Sequence, residues 1–384
     1  MDVIMKEIVE KNRKFVGQLR IILGSVVCLL WTVVILLLFV TGSGNVAKGG
    51  QTAEIDYQIT KRYDLYMNRT ISDALDGVLP VKKVYWLSDY DLVAPEPDPE
   101  CYGETDDPAS LQWLLDEASE LLDGQQTLFS TDIQINKGSK VYYYLDETIL
   151  VITWKQLIDG SMFTFSEVKI ADPSQLRRLL ADGEYGSSKK YYTSEMAPAV
   201  NAVTALSGDY YAFRDMGIVV YNGQVYRADG RELDTCFVDA NGDMHFAYAK
   251  EIKDQAAAEA YVKEKDIRFS LAFGPVMVEN GQLCEIPDKY RIGEIDTKNA
   301  RAAFCQMGPL HYMLVTVNAE KPARRGQDVA TFAKYLHEMG CINAYNLDGG
   351  QTATLVMNDT LISFTKERMI SDIIYFATAV PDGA

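Results

Sequence analysis

Ile342-Asn-Ala-Tyr-Asn-Leu-Asp-Gly-Gly-Gln-Thr-Ala-Thr354 is the stretch from which the rest of the chain is read outward. Just upstream, Val329, Phe332, Ala333 and Leu336 recur at helical spacing. That spacing predicts a helix over about 328–339, ended by Gly340. A short strand then runs into Asp348-Gly349-Gly350. Asn346 and Asp348 are two residues apart, so an extended backbone projects them to one face. Two glycines after an acid let the backbone approach a ligand closely, and their N–H groups suit an anion-binding nest. Met357-Asn-Asp-Thr360 reads as the turn of a following hairpin. Alone, an Asp-Gly-Gly is a turn far more often than an active site.

Working backwards, short β-like runs dominate: 140–154, 218–221, 224–227, 235–238, 244–248, 276–278, 312–317, 354–357 and 372–377. Four helices interrupt them. One is expected over about 108–123, capped by Asp107, with Leu111, Leu114, Leu115, Ala118, Leu121 and Leu122 on one face and Gly124 as its stop. A second starts at Asp172-Pro173, carries Leu176, Leu179 and Leu180, and ends at Gly183. The others cover about 255–263 and 328–339. The fold class is therefore α+β, with helices packed against mixed or antiparallel sheets.

Residues Ile21 to Val40 carry no charge. About 20 apolar residues at 1.5 Å each span a hydrocarbon core of roughly 30 Å. Lys11, Arg13, Lys14 and Arg20 precede the run and only Lys48 follows closely, which predicts a cytoplasmic N-terminus. The expected organisation is a tail (1–20), one N-terminal transmembrane helix (21–40), a stalk and accessory segment (41–140) and a large domain (141–384) at the outer face of the cell membrane. The lipid bilayer is the partner of residues 21–40. A strand is expected over 81–87, and Ala94-Pro-Glu-Pro-Asp-Pro-Glu100 reads as an extended, exposed loop. Net charge is −17, an acid excess that repels polyanions at long range and argues against nucleic acid. The six cysteines show no CxxC and there are three histidines, so no metal site and no cofactor is expected. Free buried thiols are the favoured state, with one disulfide as the alternative.

Four further segments sharpen the reading. Asn346, Leu347, Asp348, Gly349, Gly350, Ala353 and Thr354 match N-L-D-G-G-G-S-[SA]-T of the phosphodiester glycosidase family, which the sequence resembles. Ser207-Gly-Asp-Tyr-Tyr with Gly217-Ile-Val-Val-Tyr-Asn-Gly223 is similar to the family's N-G-D-Y-Y…G-x-V-I-x-N-G. Phe273-Gly-Pro-Val-Met-Val-Glu-Asn-Gly281 is similar to F-G-P-x-L-V-x-x-G. Arg301, Ala303 and Gln306 match three positions of R-T-A-I-G-Q, and Ser371-Asp-Ile-Ile-Tyr-Phe376 resembles the closing strand. The matches keep their order from about 150 to 380.

The resemblance implies cleavage of a sugar's C1–O bond to a phosphodiester, with a glycan or sugar-phosphate as substrate. Positive charge develops on the sugar and negative charge on the departing phosphate. The resemblance then gives the carboxylate role to Asp348 or Asp209, and phosphate contacts to Arg301 and Arg214. Gly349 and Gly350 assist through N–H groups, and Asn346 and Thr354 orient hydroxyls. Tyr210 is a substrate contact or core packing. His311 is a proton carrier or a hydrogen-bonded structural residue. Gln351, Ser207 and Ala302 depart from the family pattern. They either shift substrate preference or mark a non-catalytic glycan-binding or polysaccharide-assembly protein.

Overall fold

The computed structural model describes residues 93–118, 121, 140–319, 326–363 and 366–380. The expected membrane helix, the stalk over 41–75, the strand over 81–87 and Cys28 lie outside them. Along the chain come β1 (Tyr102–Thr105), β2 (Val141–Leu145), β3 (Ile149–Ile158), β4 (Ser161–Ile170), β5 (Leu176–Leu180) and β6 (Ala202–Ser207). Next are β7 (Gly217–Tyr221), β8 (Gln224–Asp229), β9 (Thr235–Asp239), β10 (Met244–Ala247), β11 (Ile267–Leu271), β12 (Val276–Glu279) and β13 (Gln282–Leu283). Last are β14 (Arg301–Gly308), β15 (His311–Val317), β16 (Asn343–Leu347), β17 (Leu355–Met357), β18 (Thr360–Leu361) and β19 (Asp372–Ala377). Four α-helices accompany them among the described residues: α1 (Pro108–Glu117), α2 (Thr193–Ala199), α3 (Gln255–Lys265) and α4 (Val329–Glu338). The architecture is mostly sheet with few helices.

A nine-stranded sheet runs β1-β2-β3-β4-β15-β14-β16-β12-β13, and a five-stranded sheet runs β18-β17-β6-β19-β5. The smaller β10-β9-β11 sheet and the β7-β8 hairpin complete the set. Every pairing among the described strands is antiparallel. Period-two alternation assigns the two faces of each central strand to different cores. In β15, Tyr312 and Leu314 face the core between the two large sheets, while Met313 and Val315 face the one under α1 and α4. In β19, Ile374 and Phe376 join the inter-sheet core, and Ile373 and Tyr375 pack beneath α2. Burial on both faces explains why these strands read as continuous apolar runs.

Two local expectations change. Asp172 does cap a turn, accepting from the Ser174 N–H at 2.9 Å while Gln175 Oε1 accepts from Asp172 N–H at 3.0 Å. The turn is a single 3₁₀ turn, Pro173–Gln175, and Leu176–Leu180 is strand β5, not a helix. The tertiary reason is pairing: β5 adds to β19, and its Arg178 enters a buried ion cluster described below. α1 ends at Glu117, earlier than its apolar spacing predicts; Leu111 and Leu114 bury their side chains. α3 and α4 form where expected, each capped by an aspartate, Asp254 and Asp328. The Met357–Thr360 turn closes the β17–β18 hairpin with Asn358 and Asp359 both at positive φ. The five described cysteines other than Cys28 are free thiols.

Candidate active site

The ends of five strands from three sheets converge. β16 finishes at Leu347 and delivers Asp348; β6 finishes at Ser207 and delivers Asp209 and Tyr210. β11 leads into Phe273 and the cis Gly274–Pro275 bond, β14 begins at Arg301, and β19 begins at Asp372. Gly349 is a glycine for a packing reason, since a Cβ there would overlap the Ala300 carbonyl oxygen. The Gly350 N–H donates to that same oxygen at 3.0 Å, which locks the Asp-Gly-Gly turn against the start of β14. Gly350 is therefore not free to give its N–H to a substrate, contrary to its expected role.

Beneath this surface lies an ion cluster with no solvent contact. Arg178 Nη2 donates to Asp209 Oδ1 at 3.0 Å and to Asp372 Oδ2 at 2.8 Å; Arg178 Nε donates to Asp372 Oδ2 at 3.0 Å. Arg178 Nη1 also donates to the Ser270 carbonyl. Asp209 Oδ1 accepts from the Tyr211 N–H at 2.8 Å and its Oδ2 from the Ala272 N–H at 2.6 Å. Both Asp209 oxygens are thus filled and fully buried, so this carboxylate does not open to a cleft. It fixes the two loops that carry Tyr210 and Phe273. Burial pushes the Asp372 carboxyl above the usual carboxylate range; Arg178 opposes the shift and neighbouring Asp209 adds to it.

Above the cluster, Arg214 Nη2 donates to the Asp209 carbonyl at 2.6 Å and to the Ala272 carbonyl. Its Nε and Nη1 are buried and make no hydrogen bond to the protein. The guanidinium carbon sits 5.5 Å from the Tyr210 ring centroid and 5.2 Å from that of Phe273. Asp348 pairs with Arg368 at 3.0 Å, the acid 15% exposed and the base 45%. Burial raises the Asp348 pKa, while the Thr352 hydroxyl, Arg368 and Arg214 pull it back down. Asn346 donates through Nδ2 to the Gly274 carbonyl at 2.7 Å, and its buried Oδ1 has no partner. Asp348, Arg214, Arg368, Tyr210 and Asn346 therefore form one constellation: a largely buried carboxylate, two cations and an unpaired amide oxygen.

Three other expected residues stand elsewhere. Arg301 starts β14 beside the turn, but its guanidinium is taken by backbone carbonyls: Nε by Gln327 at 2.8 Å, Nη2 by Glu294 at 2.8 Å and Thr297 at 2.7 Å. Through these two nitrogens Arg301 pins the segment before β14. Thr354 is buried, donating to the Thr352 carbonyl at 3.2 Å and lying 2.5 Å from the Thr193 hydroxyl. His311 opens β15, whose other end, Val317, faces Arg301. At about 3.4 Å per residue, that is roughly 20 Å away. His311 is buried against Glu167 at 2.7 Å, the structural alternative of its two readings.

Sequence reasoning missed Arg178, Asp372 and Arg368. Asp372 carried a readable signal, an acid leading a wholly apolar strand, which demands a buried partner. Arg178 was hidden in a segment with helical spacing. Arg368 sits in a polar run without pattern.

Residues 200–377 match the family model described as phosphodiester glycosidase. A curated mouse protein, N-acetylglucosamine-1-phosphodiester alpha-N-acetylglucosaminidase, is 21% identical over 229 residues. The match covers 56% of this chain and 44% of the mouse protein, so the chain spans less than half of that relative's length. Among solved structures, the zebrafish N-acetylglucosamine-1-phosphodiester alpha-N-acetylglucosaminidase catalytic domain, auto-inhibited by its pro-peptide, aligns at 18% identity. Its TM-score is 0.48 over 60% of this chain and 83% of that one. A hypothetical protein from Synechocystis aligns at 14% identity, TM-score 0.43, over 64% of each chain. The matched segment holds Asp209, Arg214, Asn346, Asp348, Arg368 and Asp372. Residues 200–377, just under half of the chain, are thus the part that is similar to the phosphodiester glycosidases, a family of glycosidase-type hydrolases.

Proposed function

We propose that this protein hydrolyses the C1–O bond of a sugar-1-phosphodiester in an envelope glycan or exopolysaccharide, held at the outer face of the cell membrane by residues 21–40. One observation carries the reading: Arg214 presents two buried, unpaired N–H donors beside Asp348 and Arg368. Leaving a buried donor unsatisfied costs about 1–3 kcal/mol, and an anionic ligand offsets it. In this reading the substrate phosphate accepts from Arg214 Nε and Nη1 and draws Arg368 away from Asp348. The freed carboxylate then faces the anomeric carbon. The C1–O bond breaks with its electron pair leaving on the phosphate. Water delivers hydroxide to C1, its remaining proton passes to the Asp348 carboxylate and on to solvent, and the two arginines hold the phosphate monoester as its charge grows. Asn346 Oδ1 accepts from a sugar hydroxyl.

The test is product analysis with the methyl phosphodiester of N-acetylglucosamine 1-phosphate and its hexose counterparts. Reducing sugar plus methyl phosphate is expected. Saturable binding without product for the whole panel would make this a glycan-binding protein, and release of sugar 1-phosphate would move the chemistry to phosphorus.

The pH profile follows from Asp348. Its raised pKa places the acid limb of kcat/KM above the ordinary carboxylate range, since the rate falls as the carboxylate takes up its proton. Arg368 lowers that pKa, so Arg368→Met moves the acid limb to higher pH. A limb that stays put or moves down in that variant would assign it to another group.

A further inference from the structure

The cations of the site do not stop at Arg214 and Arg368. Tyr210 lies parallel to Phe213, with ring centroids 4.3 Å apart and planes 4° from coplanar. On Phe213 rests the Lys190 ammonium, 3.9 Å from the ring centroid. Arg368 caps Tyr210 at 5.7 Å. The result is a column: Lys190, Phe213, Tyr210, then the arginines beside Asp348. The segment bearing Lys190 is built, not loose. Asp182 gathers the Tyr191 hydroxyl at 2.7 Å, the Ser187 hydroxyl at 2.5 Å and the Lys189 ammonium at 3.4 Å. Tyr191 is bridged to Ile370, two residues beyond Arg368. Lys189 thus has a carboxylate, whereas Lys190 forms no ion pair with any described residue although the protein carries a net charge of −17. An exposed ammonium held over an aromatic face, without a counter-ion, is placed to receive an anion.

We infer that Lys190 is a second anion subsite of the same cleft, which makes the preferred substrate a polymer with consecutive phosphodiesters, not a lone sugar phosphodiester. The inference rests on the function proposed above and names the substrate class. The phosphate at Arg214 and Arg368 is the scissile one, and the next phosphate along the chain reaches Lys190 past the aromatic pair. A neutral glycan has no group for that position.

The experiment compares an oligomer of N-acetylglucosamine 1-phosphate with the methyl phosphodiester of the monomer, in kcat/KM and in calorimetric affinity, on the full chain. The wild type is expected to prefer the oligomer. Lys190→Ala lowers the oligomer-to-monomer ratio about tenfold, Lys190→Arg restores it, and the preference shrinks as salt rises from 0.05 to 0.5 M through screening. An unchanged ratio in Lys190→Ala, or a wild type without preference in either measurement, overturns the inference. Oligomer binding that depends on Lys190 without turnover would support the subsite while refuting hydrolysis, so the two failures are distinguishable.

Discussion

Asp348→Asn is expected to lower kcat/KM on the order of 10³-fold while leaving the fold intact. The carboxylate is the one acid of the constellation, partly exposed, paired with Arg368 and within electrostatic reach of Arg214. The amide keeps the shape and accepts one bond from Arg368, but it brings no negative charge to a sugar ring turning cationic. Losing one well-placed electrostatic contact costs about 10²–10³ in rate. Asparagine also removes a buried charge that desolvation disfavours, so the melting temperature should hold or rise slightly. Retained activity in a folded Asp348→Asn protein would take Asp348 out of the chemistry and leave the two arginines as a binding site for an anion.

Arg178→Met should be the most damaging single change to stability. It removes the cation between two carboxylates with 0% and 1% side-chain exposure. Breaking a buried pair by deleting one partner costs about 3–5 kcal/mol, because the remaining charge is stranded. For a domain of this size that corresponds to a fall in Tm on the order of 10 °C. The pH dependence has a definite sign. Asp372 binds its proton more tightly folded than unfolded, so its contribution to stability falls as pH rises through the raised pKa. Without Arg178 that pKa rises further, and the deficit is smaller in acid than at neutral pH. Thermal unfolding at two pH values measures it. A deficit independent of pH would point to lost packing, not stranded charge. Activity should fall with stability, since Asp209 holds both loops that position Arg214 and Phe273.

These two expected results separate chemistry from scaffolding within one set of acids. Asp209 and Asp348 were interchangeable candidates in the sequence, each an acid next to glycine in a segment that resembles a family motif. Geometry divides them. Asp209 has both oxygens filled by N–H donors and Arg178; Asp348 retains an exchangeable partner at the rim. Arg301 and Arg214 differ in the same way: backbone carbonyls take Nε and Nη2 of the first, while Nε and Nη1 of the second are buried and unpaired. Residue type and spacing do not encode which hydrogen bonds are already made.

What the sequence determined by itself is local and periodic. Short runs rich in β-branched and aromatic residues set most strands, aspartate caps set the starts of α3 and α4, and the Asn358–Asp359 pair set the β17–β18 turn. These depend on neighbours along the chain, so they are readable there. The strand β5, the buried Arg178 cluster, the anchoring of Arg301 by backbone carbonyls, the seating of His311 against Glu167 and the arrival of Arg368 were decided by tertiary structure. Each depends on a partner far away in sequence, 194 positions between Arg178 and Asp372, and the energy of a desolvated charge is fixed only once that partner is in place.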